Sequence, residues 1–111
     1  MKFYKYLYVG EKIKNPGKVK RKLKNHEGQF VYVICFAKGS DRLEFFQSAY
    51  LKQRYYRYYP PVIIGIANDY DEAVDIVMQI ITECQKATGD FNIKDYLNRK
   101  VRNSRSEKGI C

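Results

Sequence analysis

VIIGIANDYDEAVDIVMQIITEC, residues 62–84, predicts a buried strand followed directly by an amphipathic helix. Its first six residues, VIIGIA, are apolar enough for an interior strand. Asp69 and Glu72 then have the D-x-x-E spacing of a capping box at a helix start. Apolar residues follow at helical spacing and predict a helix with a wide buried face, and Gly89 is expected to end this helix. The residues of the buried face are Ala73, Val74, Ile76, Val77, Ile80, Ile81 and Cys84.

The N-terminal half predicts a strand, a helix and a second strand. Residues 3–9, FYKYLYV, have the aromatic and β-branched composition of a strand, with its three tyrosines on one face. Asn15 is expected to cap a helix with Pro16 at its first position, running to about His26. Residues 30–37, FVYVICFA, are nearly all apolar, as in a central strand.

The remaining segments complete a β-α-β-β-β-α order. Residues 43–51 predict the returning strand of a hairpin whose turn is 38–41, and residues 92–98 predict a short C-terminal helix. We therefore expect an α+β fold: a mostly antiparallel four-stranded sheet with helices packed on one face. Residues 1–98 would form a single domain, and residues 99–111 a basic, flexible, frayed tail.

Composition excludes several classes of protein. A chain of 111 residues with 45% hydrophobic content fits one packed domain rather than a disordered chain. No apolar run approaches the roughly 18 residues of a membrane span, and the opening MKFYKYLYVGEK lacks the apolar core of a secretory signal. We therefore expect no membrane span and a cytoplasmic location.

The cysteines do not predict a metal site or a disulfide framework. Cys35, Cys84 and Cys111 lie far apart, and His26 is the only histidine, so the local spacing of zinc ligands is missing. Cys35 and Cys84 lie in apolar segments and are expected to be small core residues. We predict no metal and no cofactor.

Charge is distributed unevenly along the chain. The net charge is +9, but residues 1–60 hold 14 Lys/Arg against 4 Asp/Glu, while residues 61–111 hold 7 against 8. Such asymmetry predicts a strong positive field on one side of the molecule.

The predicted first helix is the first candidate for function. Residues 12–24 contain seven cations and no acid, and Lys18, Arg21 and Lys22 are the phosphate-contact candidates on it. Clustered cations gain affinity for nucleic acid or acidic lipid by releasing counterions. The alternative is a solvated helix of a basic protein.

The loop QRYYRYY, residues 53–59, is the second candidate. Arginines among tyrosines resemble the stacking platforms of single-stranded nucleic-acid binders, but they also suit a protein–protein contact or simple packing on the sheet. The candidates are two phosphate contacts and four stacking or interface residues: Arg54, Arg57, Tyr55, Tyr56, Tyr58 and Tyr59.

Other residues give no catalytic prediction. Asp69, Asp71, Glu72 and Asp75 could bind a metal or act as acid and base, but acids at a helix start are favoured there by capping and by the helix dipole. The 65–69 junction has one glycine and lacks the lysine of a phosphate-binding loop. We expect no catalytic residue and no enzyme.

Two resemblances carry little functional information. The central α-β-β-β-α order resembles the double-stranded-RNA-binding domain, but that family has a lysine-rich second helix start where this chain has the acidic residues 68–72, so we reject membership. The opening KFYKYLYVGE and the segment GIANDYDEAVDIV resemble those of short uncharacterised proteins from Gram-positive gut bacteria. That resemblance implies no activity.

The sequence thus favours a non-enzymatic binding module that uses a basic face for a polyanion, with nucleic acid as the leading candidate. The alternative is a protein-interaction or self-associating module that uses the tyrosine/arginine loop.

Overall fold

The computed structural model describes residues 2–25, 30–37 and 41–110, with side chains described as far as residue 102. The strands in this part are β1 (Lys2–Val9), β2 (Tyr32–Phe36), β3 (Leu43–Gln47) and β4 (Val62–Ala67). The α-helices are α1 (Pro16–Lys24), α2 (Arg54–Tyr58), α3 (Tyr70–Thr88) and α4 (Ile93–Ile110), and a 3₁₀ helix, Ser48–Lys52, precedes α2.

The four strands form one mixed sheet in the order β1-β4-β2-β3. Strand β2 pairs antiparallel with both β3 and β4, while β1 runs parallel to β4. The predicted α+β fold and the mostly antiparallel sheet are therefore confirmed. Strand β4 lies between β1 and β2, and every residue after Val62 in it is buried, whereas the edge strands β1 and β3 are only partly covered.

Helices pack on both faces of the sheet, so the prediction that they share one face is wrong. Consecutive residues Val33 and Ile34 in β2 are both fully buried. Because successive side chains of a strand point to opposite faces, a strand buried at every position needs cover on both sides. The all-apolar strands FVYVICFA and VIIGIA therefore require a layer on each face.

Helices α3 and α4 form one of these layers. Ile80 of α3 and Leu97 of α4 pack in a cluster with Ile34 of β2 and Ile64 of β4. Helix α1 and the 3₁₀ helix form the other layer, which packs on Val33 through Val19, Leu23 and Leu51. The other buried members of this second cluster are Ile63 and Ile66 of β4 and Val31, which directly precedes β2.

The segment after β3 bends over the sheet instead of extending the strand. Strand β3 ends at Gln47, and the predicted strand 43–51 is wrong beyond that residue. The backbone N–H of Ser48 donates to the carbonyl of Val31 at 2.8 Å, and Leu51 is buried. The chain thus folds back on β2, and α2 follows at once.

The helix boundaries agree only partly with the predictions. Asn15 caps α1, since its side-chain oxygen accepts from the backbone N–H of Lys18 at 3.1 Å. Helix α1 ends at Lys24, and His26, most of the predicted turn 38–41 and Cys111 lie outside the described residues. Helix α4 continues to Ile110, well beyond the short helix predicted for 92–98.

The ends of α3 match the predicted signals. Asp69 Oδ1 accepts from the backbone N–H of Glu72 at 3.0 Å, and Gly89 ends the helix with a φ of 75°. The left-handed conformation is readily adopted by glycine, which explains this stop. The carboxylate of Glu72 caps one residue earlier than a capping box predicts, because it accepts from the N–H of Asn68 at 2.8 Å.

Candidate functional site

Helix α1 presents most of its cations to solvent. Val19 and Leu23 face the sheet, which leaves the rest of the helix surface to Lys and Arg. Lys18 and Arg21 are exposed and Lys22 is half-buried. Spacings of three and four residues place these three side chains on one side of the helix. Within the described residues, no acidic side chain forms an ion pair with them.

Lys20 and Lys24 serve a different purpose on the same helix. Their ammonium groups lie 5.5 and 5.6 Å from the centre of the Phe3 ring. Cation–π contacts of this kind attach α1 to the edge strand β1. The phosphate-contact candidates Lys18, Arg21 and Lys22 are thus separate from the lysines that cover the strand.

Helix α2 carries the tyrosine and arginine candidates. Arg54 and Arg57 are exposed, three residues apart, and have no ion-pair partner among the described acids. Tyr58 is 68% exposed and Tyr59 is 56% exposed, so both leave large aromatic rings in contact with solvent. These side chains place aromatic rings beside positive charge.

Tyr56 and Tyr55 are less exposed to solvent than Tyr58 and Tyr59. The Tyr56 ring stacks on Phe46 with centres 5.5 Å apart and 27° between the planes. Tyr56 packs against the core cluster beneath α1, and burial raises the pKa of its hydroxyl. Tyr55 is 40% exposed and lies edge-on to Tyr56 at 5.0 Å. Tyr56 therefore anchors α2 to the sheet, and Tyr58 and Tyr59 form its outer surface.

The two basic segments lie over the same face of the sheet. Val19 and Leu23 of α1, Leu51 of the 3₁₀ helix and Tyr56 of α2 all join one cluster built on Val33. We call Lys18, Arg21, Lys22, Arg54 and Arg57, together with Tyr58 and Tyr59, the basic face. The sequence pattern alone leaves this relation undetermined, because α1 and α2 are separated by two strands.

The first cation of the basic run is neutralised. Lys12 Nζ lies 2.7 Å from Asp69 Oδ2. This hydrogen bond raises the pKa of Lys12 and lowers the pKa of Asp69. Asp69 and Glu72 at the start of α3 thus act in capping, and Asp69 also forms this ion pair, in keeping with the predicted structural interpretation.

The opposite face contains a polar cluster that the sequence reasoning missed. Glu83 Oε1 accepts from the hydroxyls of Tyr8 at 2.9 Å and Tyr96 at 3.1 Å, and Glu83 Oε2 accepts from Gln79 at 3.0 Å. Lys100 Nζ lies 3.7 Å from the same carboxylate and 5.2 Å from the centre of the Tyr8 ring. This cluster joins β1, α3 and α4.

Protonation in this cluster follows from burial and hydrogen bonding. Burial acts to raise the pKa of Glu83, but the hydrogen bonds from Tyr8, Gln79 and Tyr96 outweigh it and hold the pKa below its ordinary value. Burial and the hydrogen bond to Glu83 raise the pKa of Tyr8, and burial raises the pKa of Tyr4 to about 12. The hydroxyls of Tyr4, Tyr8 and Tyr96 are therefore neutral hydrogen-bond donors at pH 7.

Cys35 is not an activated nucleophile. Its side chain is buried, and burial together with the nearby Glu44 raises the pKa of its thiol to about 12. A thiol held this far above neutrality carries almost no thiolate. Cys84 is fully buried as well, so the prediction that both cysteines are core residues is confirmed.

Comparison with protein-family models, curated proteins and solved structures finds no match for this chain. None of the helices in the described part has the length and apolar content needed to cross a membrane. In the same residues, no three His, Cys, Asp or Glu side chains converge as metal ligands would. The basic face is therefore assessed from its geometry alone.

Proposed function

We propose that this protein is a non-enzymatic binding module that holds a polyanion, foremost nucleic acid, on the basic face. The observation that carries the proposal is that α1 and Tyr56 of α2 pack in one cluster on the same face of the sheet. Both helices therefore lie on the same side of the sheet, and each has exposed cations, which are Lys18 and Arg21 on α1 and Arg54 and Arg57 on α2.

Phosphate backbones suit such a surface because each neutralised phosphate releases condensed counterions. The five cations of the basic face form no ion pair with the described acids, so no such pair within the described residues must be broken before they meet phosphate. Five phosphate contacts would give a slope of log affinity against log salt between about −3.5 and −4.5.

Fluorescence anisotropy with labelled oligonucleotides tests the proposal directly. We expect binding at about 50 mM salt that weakens steeply toward about 200 mM. Arg21→Gln and Arg57→Gln should each weaken binding to all sequences and reduce the salt slope by roughly 1. The absence of binding to any oligonucleotide at micromolar protein and low salt would refute the proposal.

Lys86→Gln provides the matched control. Lys86 is exposed in the last turn of α3, on the opposite side of the sheet from α1, and its loss changes the net charge by the same single unit. A general effect of net charge would weaken binding equally in Lys86→Gln and Arg21→Gln. A localised site requires the loss in Arg21→Gln to be clearly larger.

The exposed tyrosines support a second function, a protein contact or self-association through α2. Tyr58 and Tyr59 expose large aromatic surfaces next to arginines, and both residue types are enriched at interface hot spots. Light scattering at increasing protein concentration separates the two functions. A mass above that of the monomer which falls in Tyr58→Ala would favour self-association, whereas a constant 13.2 kDa species would favour the polyanion.

Nucleic acid and free thiols both fit a cytoplasmic location, which we include in the proposal. Cys35 and Cys84 are unpaired. Thiols persist in reducing compartments, where disulfides are rare.

A further inference from the structure

A cleft with aromatic walls lies at one end of the sheet. It has a volume of about 270 Å³ and is formed where β2 begins, β3 ends and β4 leads into α3. Its aromatic residues are Phe30, Tyr32 and Tyr70, and its amide side chains are Gln47 and Asn68. We call this site the aromatic cleft.

Two of the three aromatic walls are held in place by their neighbours. The Tyr70 ring lies edge-on to Phe45 at 5.3 Å and to Tyr32 at 6.2 Å. Gln47 Nε2 donates to the hydroxyl of Tyr32 at 3.4 Å. These contacts fix the positions of the Tyr32 and Tyr70 rings, and preorganisation of this kind favours binding.

Phe30 is the unusual member of the cleft. Its side chain is 92% exposed, more than any other large apolar residue of the described chain. Leaving a phenylalanine in water forgoes the free energy that its burial would provide. A planar ligand that stacks on Phe30 would recover part of this free energy.

The cleft lies at the end of the sheet, where the two helical layers meet. Its residue Val31 packs in the same cluster as Val19 and Leu23 of α1, whereas Tyr32 packs on the face that α3 and α4 cover. Ser48, which also lines the cleft, is the first residue of the 3₁₀ helix, whose five residues span roughly 10 Å before Gln53 and Arg54. This short spacing along the chain allows a nucleic-acid strand held by Arg54 to continue around the end of the sheet to the cleft.

We infer that the aromatic cleft receives one unpaired nucleobase of the bound nucleic acid. This inference rests on the proposed function. An aromatic ring system stacks on Phe30 or Tyr70, and the Gln47 and Asn68 amides, each both donor and acceptor, match the polar edge of a base. A phosphate is disfavoured in the cleft because none of the described residues that line it is a lysine or an arginine.

The occupant therefore requires a single strand or an unpaired loop. A base inside a duplex is stacked on its neighbours and cannot enter a protein cleft without being extruded. The protein should bind single strands more tightly than a duplex of equal length, although both carry the same kind of phosphate.

Anisotropy with single strands and duplexes of about 12 nucleotides tests this inference. We expect Phe30→Leu to weaken single-strand binding at least about five-fold, with duplex binding and the salt slope unchanged. Phe30 is exposed, so this variant should fold normally, and equal thermal midpoints check that point. Gln47→Ala, a second exposed cleft residue, should weaken single-strand binding as well.

Phe91→Leu is the matched control, because Phe91 is also an exposed phenylalanine, at 61%, but lies between α3 and α4. It should bind both nucleic acids like the wild type. A loss in Phe91→Leu equal to that in Phe30→Leu would overturn the cleft as the cause.

The outcomes separate this inference from the proposed function. Salt-dependent binding that is equal for single strands and duplexes, and unaffected by Phe30→Leu, overturns the nucleobase site and leaves the basic face in place. The absence of salt-dependent binding overturns the proposed function first. A change in self-association in Phe30→Leu, with nucleic-acid binding unchanged, would assign the cleft to a protein contact and also overturn the inference.

Discussion

The carboxylate of Glu72 occupies the space that a side chain on Gly10 would need. A Cβ atom on Gly10 would overlap this carboxylate. The same group accepts from the backbone N–H of Lys12 at 2.9 Å and of Asn68 at 2.8 Å. Glu72 thus connects the segments that follow the parallel strands β1 and β4 at the start of α3.

Gly10→Ala should destabilise the protein by about 1–3 kcal/mol, because the added methyl group must displace the Glu72 carboxylate from its hydrogen bonds. Urea unfolding followed by circular dichroism measures the free energy of unfolding. Gly17→Ala is the paired control, since a Cβ there meets only Asn15 Oδ1 at 3.7 Å and Gly17 lies in α1. It should be neutral or stabilising by up to about 1 kcal/mol. Equal destabilisation by both substitutions would contradict the close packing at Gly10.

Glu83 should make the protein sensitive to acid. Its folded pKa lies below the ordinary value of 4.5, so its stabilising effect is complete above about pH 4.5 and is lost as pH falls through the folded pKa. Glu83→Gln should lower the free energy of unfolding by about 1 kcal/mol at pH 7. It should also reduce the loss of unfolding free energy between pH 5 and pH 3, which urea unfolding at each pH measures. An unchanged acid slope in Glu83→Gln would assign that loss to other carboxylates.

Tyr8 should act at the opposite end of the pH range. Its folded pKa is raised above the ordinary value of 10.0, so the folded state favours the neutral hydroxyl and loses this advantage as pH rises beyond 10. Tyr8→Phe should be less stable than the wild type at pH 7 by about 1–3 kcal/mol, because Glu83 loses a donor. The difference should narrow at alkaline pH, as measured by unfolding at pH 8 and pH 11.

Local pattern accounts for the parts of the fold that the sequence predicted. The apolar spacing from Ala73 to Cys84 and the Asp69 cap predict α3 because both signals lie within one helix. The strand order has no such signal, since the parallel pairing joins Lys2 to Val62. The second helical layer is needed because both faces of β2 are buried. The apolar run FVYVICFA indicates this burial, but it does not show that α1 is the helix that covers the second face.

The sequence likewise predicts the individual segments of the candidate site but not their arrangement in the fold. Charge runs and tyrosines are visible along the chain, so each half of the basic face could be named from sequence, but their common placement depends on tertiary packing. The sequence indicates a structural role for Glu83 less clearly than it indicates the basic segments. It lies at the border of the apolar stripe of α3, three residues after Ile80, and its tyrosine partners come from β1 and α4. Only the folded chain brings these groups together.

Tyr56 and Tyr58 should separate stability from binding within a single helix. Tyr56→Ala removes a half-buried ring that stacks on Phe46 and should cost about 2 kcal/mol of unfolding free energy. Tyr58→Ala removes a ring that is 68% exposed, so stability should change by less than about 0.5 kcal/mol. Because Tyr58 lies beside Arg54 and Arg57, its loss should instead weaken single-strand binding about five-fold or more, measured by anisotropy. Tyr58→Phe should retain binding, since stacking needs the ring and not the hydroxyl. Loss of binding in Tyr58→Phe, or its retention in Tyr58→Ala, would exclude Tyr58 as a stacking residue.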